Sequence, residues 1–122
     1  MPAIKEDKAR EERIHEEIIV DAYGPEEQAL GWFYYLQDNI HFPFQARCVL
    51  IKATSPLKIG ETVEVLEMAS EKVCLHDMLV QIRCQGRTLA VSLYQLEAVK
   101  PDAKTNEVIA DWHYWVKRGY KL

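Results

Sequence analysis

The run from Asp21 to Phe44, D-A-Y-G-P-E-E-Q-A-L-G-W-F-Y-Y-L-Q-D-N-I-H-F-P-F, constrains the fold more than any other part of the chain. Gly24-Pro25 is a stop and a start together. Glycine accepts the left-handed conformation that ends one helix, and proline suits the first position of the next, where an N–H would be unpaired anyway. Beyond it Ala29, Leu30, Trp32, Phe33, Leu36 and Ile40 make a broad apolar face, while Glu27, Gly31, Tyr34 and Asp38 line another. This predicts a helix that stops near Asn39, ahead of Phe42-Pro43-Phe44. The same run holds four carboxylates, Asp21, Glu26, Glu27 and Asp38, so it is expected to be both a core helix and an acidic surface.

The segment ahead of it shares the helical period. Ile14, Ile18 and Ala22 recur at i, i+4 and i+8 with Ile19 and Tyr23 beside them, which predicts a helix from Lys8 to about Tyr23 and a helical hairpin over residues 8–40. Glu17 and Asp21 then form a like-charge pair costing a few tenths of a kcal/mol in an isolated helix, offset by Arg13 one turn before.

After Phe44 the period changes to two. Ala46–Ile51, Thr62–Met68, Met78–Cys84 and Thr88–Leu93 read as strands, with Ser55–Glu61 as a turn-rich link and Gln85-Gly86-Arg87 as a hairpin turn. Short strands at this spacing predict a small antiparallel β-barrel over residues 45–99, and L-K-x-G-E-x-V-x-V resembles the opening of SH3-like barrels. Pro101 breaks the chain. Thr105 is read as the cap of a last helix over residues 104–118, in which Val108, Ile109, Trp112, Trp115 and Val116 share a face. The expected class is α+β, with residues 1–122 as a single domain, since no repeat, low-complexity run or long linker divides them.

Composition narrows the functions. With 122 residues and 48% hydrophobic side chains the chain can bury a core without a metal or disulfide staple. Cys48, Cys74 and Cys84 are odd in number and lack C-x-x-C spacing, which favours buried free thiols over a zinc site. Residues 1–40 carry four basic against ten acidic side chains, a net −6, and the rest carry a net +2. Phosphate neutralisation needs clustered Lys and Arg, so nucleic acid is not the expected partner, whereas cations or basic partners are. No apolar run approaches the roughly 20 residues that cross a bilayer, and Met1 to Glu17 is charged throughout; neither a membrane role nor a signal peptide is expected, and the cytoplasm is the expected location. No nucleophile signature, paired histidines or phosphate-binding glycine loop occurs, so the chain is not expected to be an enzyme.

Carboxylate density is the chemical feature left. Calcium takes six to eight oxygen ligands, and Glu16, Glu17, Asp21, Glu26, Glu27 and Asp38 fall near one hairpin, without the spacing of an EF-hand loop. Two readings of Glu26 and Glu27 stay open: helix capping at the second and third positions, or ligation. At a rise of 1.5 Å per residue, Glu27 and Asp38 stand about 16 Å apart along one helix, so Asp38 needs partners from elsewhere.

The wording R-E-E-R-I-H-E-E-I-I-V-D-A-Y-G-P-E-E-Q-A-L-G-W-F-Y-Y-L-Q-D-N-I-H-F-P-F-Q-A-R-C, followed by P-L-K-I-G-E-T-V-E-V, L-A-V-S-L-Y-Q-L-E and D-W-H-Y-W-V-K-R-G-Y-K-L, resembles the small cyanobacterial calcium-binding proteins of the CcbP type. The resemblance runs from about Arg10 to the C-terminus. It implies a non-EF-hand calcium binder, a cytoplasmic buffer or sensor whose abundance sets free calcium during cell differentiation. Through D-A-Y-G-x-E-E and Y-Y-L-x-D it carries across Asp21, Glu26, Glu27 and Asp38 as the acidic positions, and Glu17 joins them from the hairpin. The competing expectation is a protein-interaction module built on the barrel, with no metal role.

Overall fold

The structure is a computed structural model that describes residues 5–20, 22–120 and 122. In chain order it contains α1 (Lys8–Arg13), a π-helical stretch (Ile14–Ile18), α2 (Pro25–Asn39), β1 (Phe44–Cys48), β2 (Thr62–Met68), β3 (Leu79–Cys84), β4 (Arg87–Ser92), a 3-10 turn (Leu93–Gln95), β5 (Leu96–Ala98) and α3 (Ala103–Lys117). The class is α+β, as the change of period predicts. Among the described residues no helix is long and apolar enough to cross a membrane.

The first helix departs from its expectation. It starts at Lys8 but does not run on to Tyr23: the α-helix ends at Arg13, a wider turn follows in which the Ile19 N–H donates to the Ile14 carbonyl at 3.0 Å, and the helix is over at Ile18. Packing against α2 gives the reason. A Cβ on Gly31 would collide with the backbone carbonyl oxygen of Ile18, so only a bare glycine lets the end of this segment approach so closely. Ile14 and Ile18 go inward, while Tyr23, the last residue of the apolar period, is 88% exposed. Gly24 is not the left-handed terminator either. It is the N-cap of α2, in extended backbone.

Helix α2 ends at Asn39 as its pattern dictates, burying Ala29, Trp32, Phe33 and Leu36 and leaving Leu30 exposed. Helix α3 begins one turn earlier in its capping logic than expected. Asp102 is the N-cap, its carboxylate accepting the Thr105 N–H at 2.8 Å, while Thr105 is buried and its hydroxyl accepts the His41 N–H at 2.9 Å. The second residue after α2 is thereby pinned to the start of α3.

The five strands form an antiparallel sheet in the order β4-β3-β2-β1-β5. The sheet is not closed, so the barrel expected over residues 45–99 is not formed by its ladders: β4 and β5 are the two edges, and neither pairs with the other. The 3-10 turn explains this, since it carries the chain directly from one edge across to a three-residue strand against β1. The β3–β4 hairpin turns where expected, with positive φ at both Gln85 (52°) and Gly86 (78°), the twist that matches paired strands. Ala46, Cys48, Val63, Val65, Val80, Ile82 and Val91 point into the core.

Two contacts tie the helices together. The rings of Trp32, Trp112 and Trp115 meet with centroids 5.1, 5.5 and 5.6 Å apart, joining α2 to α3. Beside them Asp111, with no exposed surface, accepts hydrogen bonds from Arg13 Nη2 at 2.6 Å, Arg13 Nε at 3.1 Å and the Tyr35 hydroxyl at 2.6 Å. The hydrogen bond to Asp111 holds the Arg13 guanidinium firmly charged, and burial followed by the same carboxylate raises the Tyr35 phenol.

Trp32→Ala removes the central ring of that contact and is expected to cost about 3 to 5 kcal/mol, the usual range for a large buried aromatic. A urea denaturation curve followed by the emission of the remaining tryptophans measures it; a near-native midpoint would show that Trp32 is not part of the core.

Candidate metal site

Four of the five expected ligands fall within the described residues, and all four are exposed: Glu17 in the π-helical stretch and Glu26, Glu27 and Asp38 on α2. The fifth, Asp21, lies outside the described residues. The structure does not gather the four. Glu26 and Glu27 occupy the first turn of α2, where negative charge complements the helix dipole. The Glu27 carboxylate accepts the Tyr23 N–H at 2.9 Å, so the capping reading of Glu27 describes a bond it makes.

Asp38 lies in the last turn of α2, at the far end from these two. A basic side chain would normally sit near such a C-terminus, and α2 has none in its last turn. One turn before Asp38, Tyr34 stands 45% exposed, and its hydroxyl donates to Glu71 Oε2 at 2.7 Å. That hydrogen bond, then the Glu71 charge, and more weakly the charge of Asp38 raise the Tyr34 phenol above its ordinary value, because each disfavours a phenolate. Glu71, from the β2–β3 connection, thus meets the Tyr34 phenol one helical turn before Asp38.

Glu71 is positioned by the β2–β3 connection, which folds on itself through local bonds. The Val73 N–H donates to Ser70 O at 3.1 Å and the Cys74 N–H to Glu71 O at 3.2 Å. Cys74, 1% exposed, anchors the loop as its sulfur accepts the Leu79 N–H at 3.4 Å. Burial raises that thiol, in keeping with a structural cysteine. Sequence reasoning did not single out Glu71: S-E-K in a strand connection carries no signal, and the contact with Tyr34 spans 37 positions.

Among the described residues no three His, Cys, Asp or Glu side chains converge as a metal-holding group. The donors at the Asp38 end are two carboxylates and a phenol, all hard oxygens, which suit calcium better than a softer ion. An ion there would complete its shell with carbonyl oxygens and water. Three of the four histidines have partners: His15 Nε2 lies 3.2 Å from Glu11, His41 Nδ1 lies 2.9 Å from Asp102, and His113 Nε2 lies 3.2 Å from Leu93 O, with burial lowering the His113 pKa.

Comparison with known proteins carries this chemistry to a family. The CcbP family model, described as calcium binding, matches residues 12–116. The crystal structure of Anabaena CcbP is similar over 100% of both chains, with 43% identity and a TM-score of 0.88. A second solved structure, a calcium binding protein in the calcium-binding form, is 42% identical with a TM-score of 0.88, again over 100% of both chains. No curated protein sequence matches the chain. With 12–116 matched and two structures similar along the full length, the chain belongs to the CcbP family of calcium-binding proteins.

Proposed function

We propose that this protein is a cytoplasmic calcium buffer or sensor that binds its ion at the Asp38 end of α2, with Glu71 and Tyr34 as the neighbouring oxygen donors. The observation that carries the reading is the Tyr34–Glu71 hydrogen bond one turn before Asp38, at a helix C-terminus that has no basic residue in its last turn. The negative end of a helix dipole and two carboxylates favour a cation at the same place. The scaffold in this reading is a single domain over residues 1–122. Its helical hairpin, residues 8–40, rests on an SH3-like arrangement of strands left open between β4 and β5. Glu17, Asp21, Glu26 and Glu27 are the ligands in this reading if Asp38 is not. The protein catalyses no reaction and engages neither nucleic acid nor membrane. A second reading, a protein-interaction module, draws support from Val49, Leu50 and Ile51, which are exposed side by side after β1.

Calcium is expected to raise the melting temperature, and magnesium to do so less, because a ligand of the native state stabilises by mass action and magnesium gives up its water reluctantly. Asp38→Ala should weaken calcium binding by about tenfold or more while leaving the ion-free melting temperature in place. Calorimetric titration of both proteins tests this. Unchanged affinity in the variant would move the site to Glu17, Asp21 and Glu26, and no calcium effect on either protein would favour the interaction module.

The Tyr34 contact has its own readout. In Glu71→Gln the phenolate no longer faces the Glu71 carboxylate, the main cause of its raised pKa, so Tyr34 should ionise at lower pH than in the unchanged protein. Ultraviolet difference titration, with Tyr34→Phe to assign the signal, measures the shift; an unmoved titration would mean that Glu71 does not hold Tyr34 in solution.

A further inference from the structure

The segment Asp7–Ile18 is attached to the molecule differently from every other helix. Helix α1 buries none of its residues, and the π-helical stretch buries only Ile14 and Ile18. Those two isoleucines reach the main hydrophobic core, and the rest of what holds the segment is polar and concentrated on α3. Arg13 bonds both Asp111 oxygens and lies 3.3 Å from Glu107; Arg10 Nη1 lies 3.4 Å from Asp111 Oδ1. The Tyr114 hydroxyl accepts the Asp7 N–H at 2.9 Å and donates to Glu11 at 2.9 Å, and Arg118 lies 3.6 Å from Glu11. Asp111 is also held from the other side by Tyr35 of α2, so its place in the body does not depend on the arginines. The end of the segment then rests in the notch left by Gly31.

We propose that Asp7–Ile18 is a charge-latched arm that opens as a unit from the α2–α3 face while the rest of the protein stays folded. The body is held by the three indoles and the sheet core, which salt does not weaken. The latch includes the Arg13–Glu107 pair, with side chains 24% and 40% exposed, which dissolved ions screen, while the contacts of Arg10 and Arg13 to buried Asp111 are screened much less. Arg13 dominates, because its loss leaves the buried Asp111 carboxylate without its closest counter-charge. Opening uncovers Asp111, Glu107 and the Tyr114 hydroxyl together. Ionic strength therefore sets how much of the time this acidic face is covered.

Native-state hydrogen exchange on the full chain tests the arm, since exchange resolves local opening from global unfolding. Raising sodium chloride from about 0.05 M to about 0.5 M should speed the amides of residues 11–18 together by roughly threefold or more, with β2 and β3 amides changed by less than about twofold. Arg13→Gln should speed the same amides by about tenfold or more at low salt and abolish most of their response to salt. Gly31→Ala pushes the Ile18 carbonyl away without touching a charge, so it should speed the arm and leave the salt response intact. Equal acceleration of arm and sheet in both variants would overturn the proposal, as would arm amides that ignore salt in the unchanged protein. Should Arg13→Gln fail to fold, Gly31→Ala and the salt series decide the matter.

Discussion

The contact among Trp32, Trp112 and Trp115 is the interaction on which the rest of the structure depends. It joins α2 to α3, and it places three large rings where no single helix could bury them. Among the described residues their buried indole nitrogens meet no hydrogen-bond acceptor, and edge-to-face and offset ring contacts together with the area removed from water hold the cluster. With α2 fixed in this way, its ends have fixed addresses. The N-terminal end meets the first helical segment at Gly31, and the C-terminal end meets the β2–β3 connection through Tyr34.

The site proposed for calcium sits on this frame without belonging to the core. Asp38, Tyr34 and Glu71 lie at the surface; buried Cys74 anchors the Glu71 loop, and the Phe33 ring centroid is 5.2 Å from that of Tyr34. Carboxylates left in water keep their hydration until an ion displaces it, so a site of this kind is governed by how well loop and helix hold the donors near each other. That differs from an EF-hand, where one continuous loop supplies nearly all ligands. Asp111 shows the contrasting treatment of an acid in the same protein. It is fully buried, ringed by arginine and tyrosine donors, and serves to bind helices together.

Several parts of this arrangement were legible in the residues. The end of α2 at Asn39, the apolar face of α3, the strand Thr62–Met68 and the hairpin at Gln85-Gly86 all follow from local rules, because periodicity and turn chemistry act within a few residues. The first helix misled for a definite reason: Ala22 and Tyr23 continue the apolar period, but the Ile18 carbonyl is seated against Gly31 and the chain has to leave the helix there. Closure of the strands into a barrel failed likewise, because strand spacing says nothing of which edges meet. The three-residue β5 was too short to announce itself.

Sequence by itself determined that the chain would be α+β, that its acidic charge would gather in the N-terminal third, and that its order of motifs would be that of a CcbP-type calcium binder. These are properties of composition and local pattern, and they survive without coordinates. Only the tertiary structure decided which carboxylates become neighbours. Asp111 looks in the sequence like one more surface acid on a helix, yet Arg13, 98 positions away, makes it a buried anchor. Glu71 looks like a loop residue of no consequence until the strand connection brings it to Tyr34. The reason is that Coulomb and hydrogen-bond interactions depend on distance in space, which the order of residues along a chain does not set.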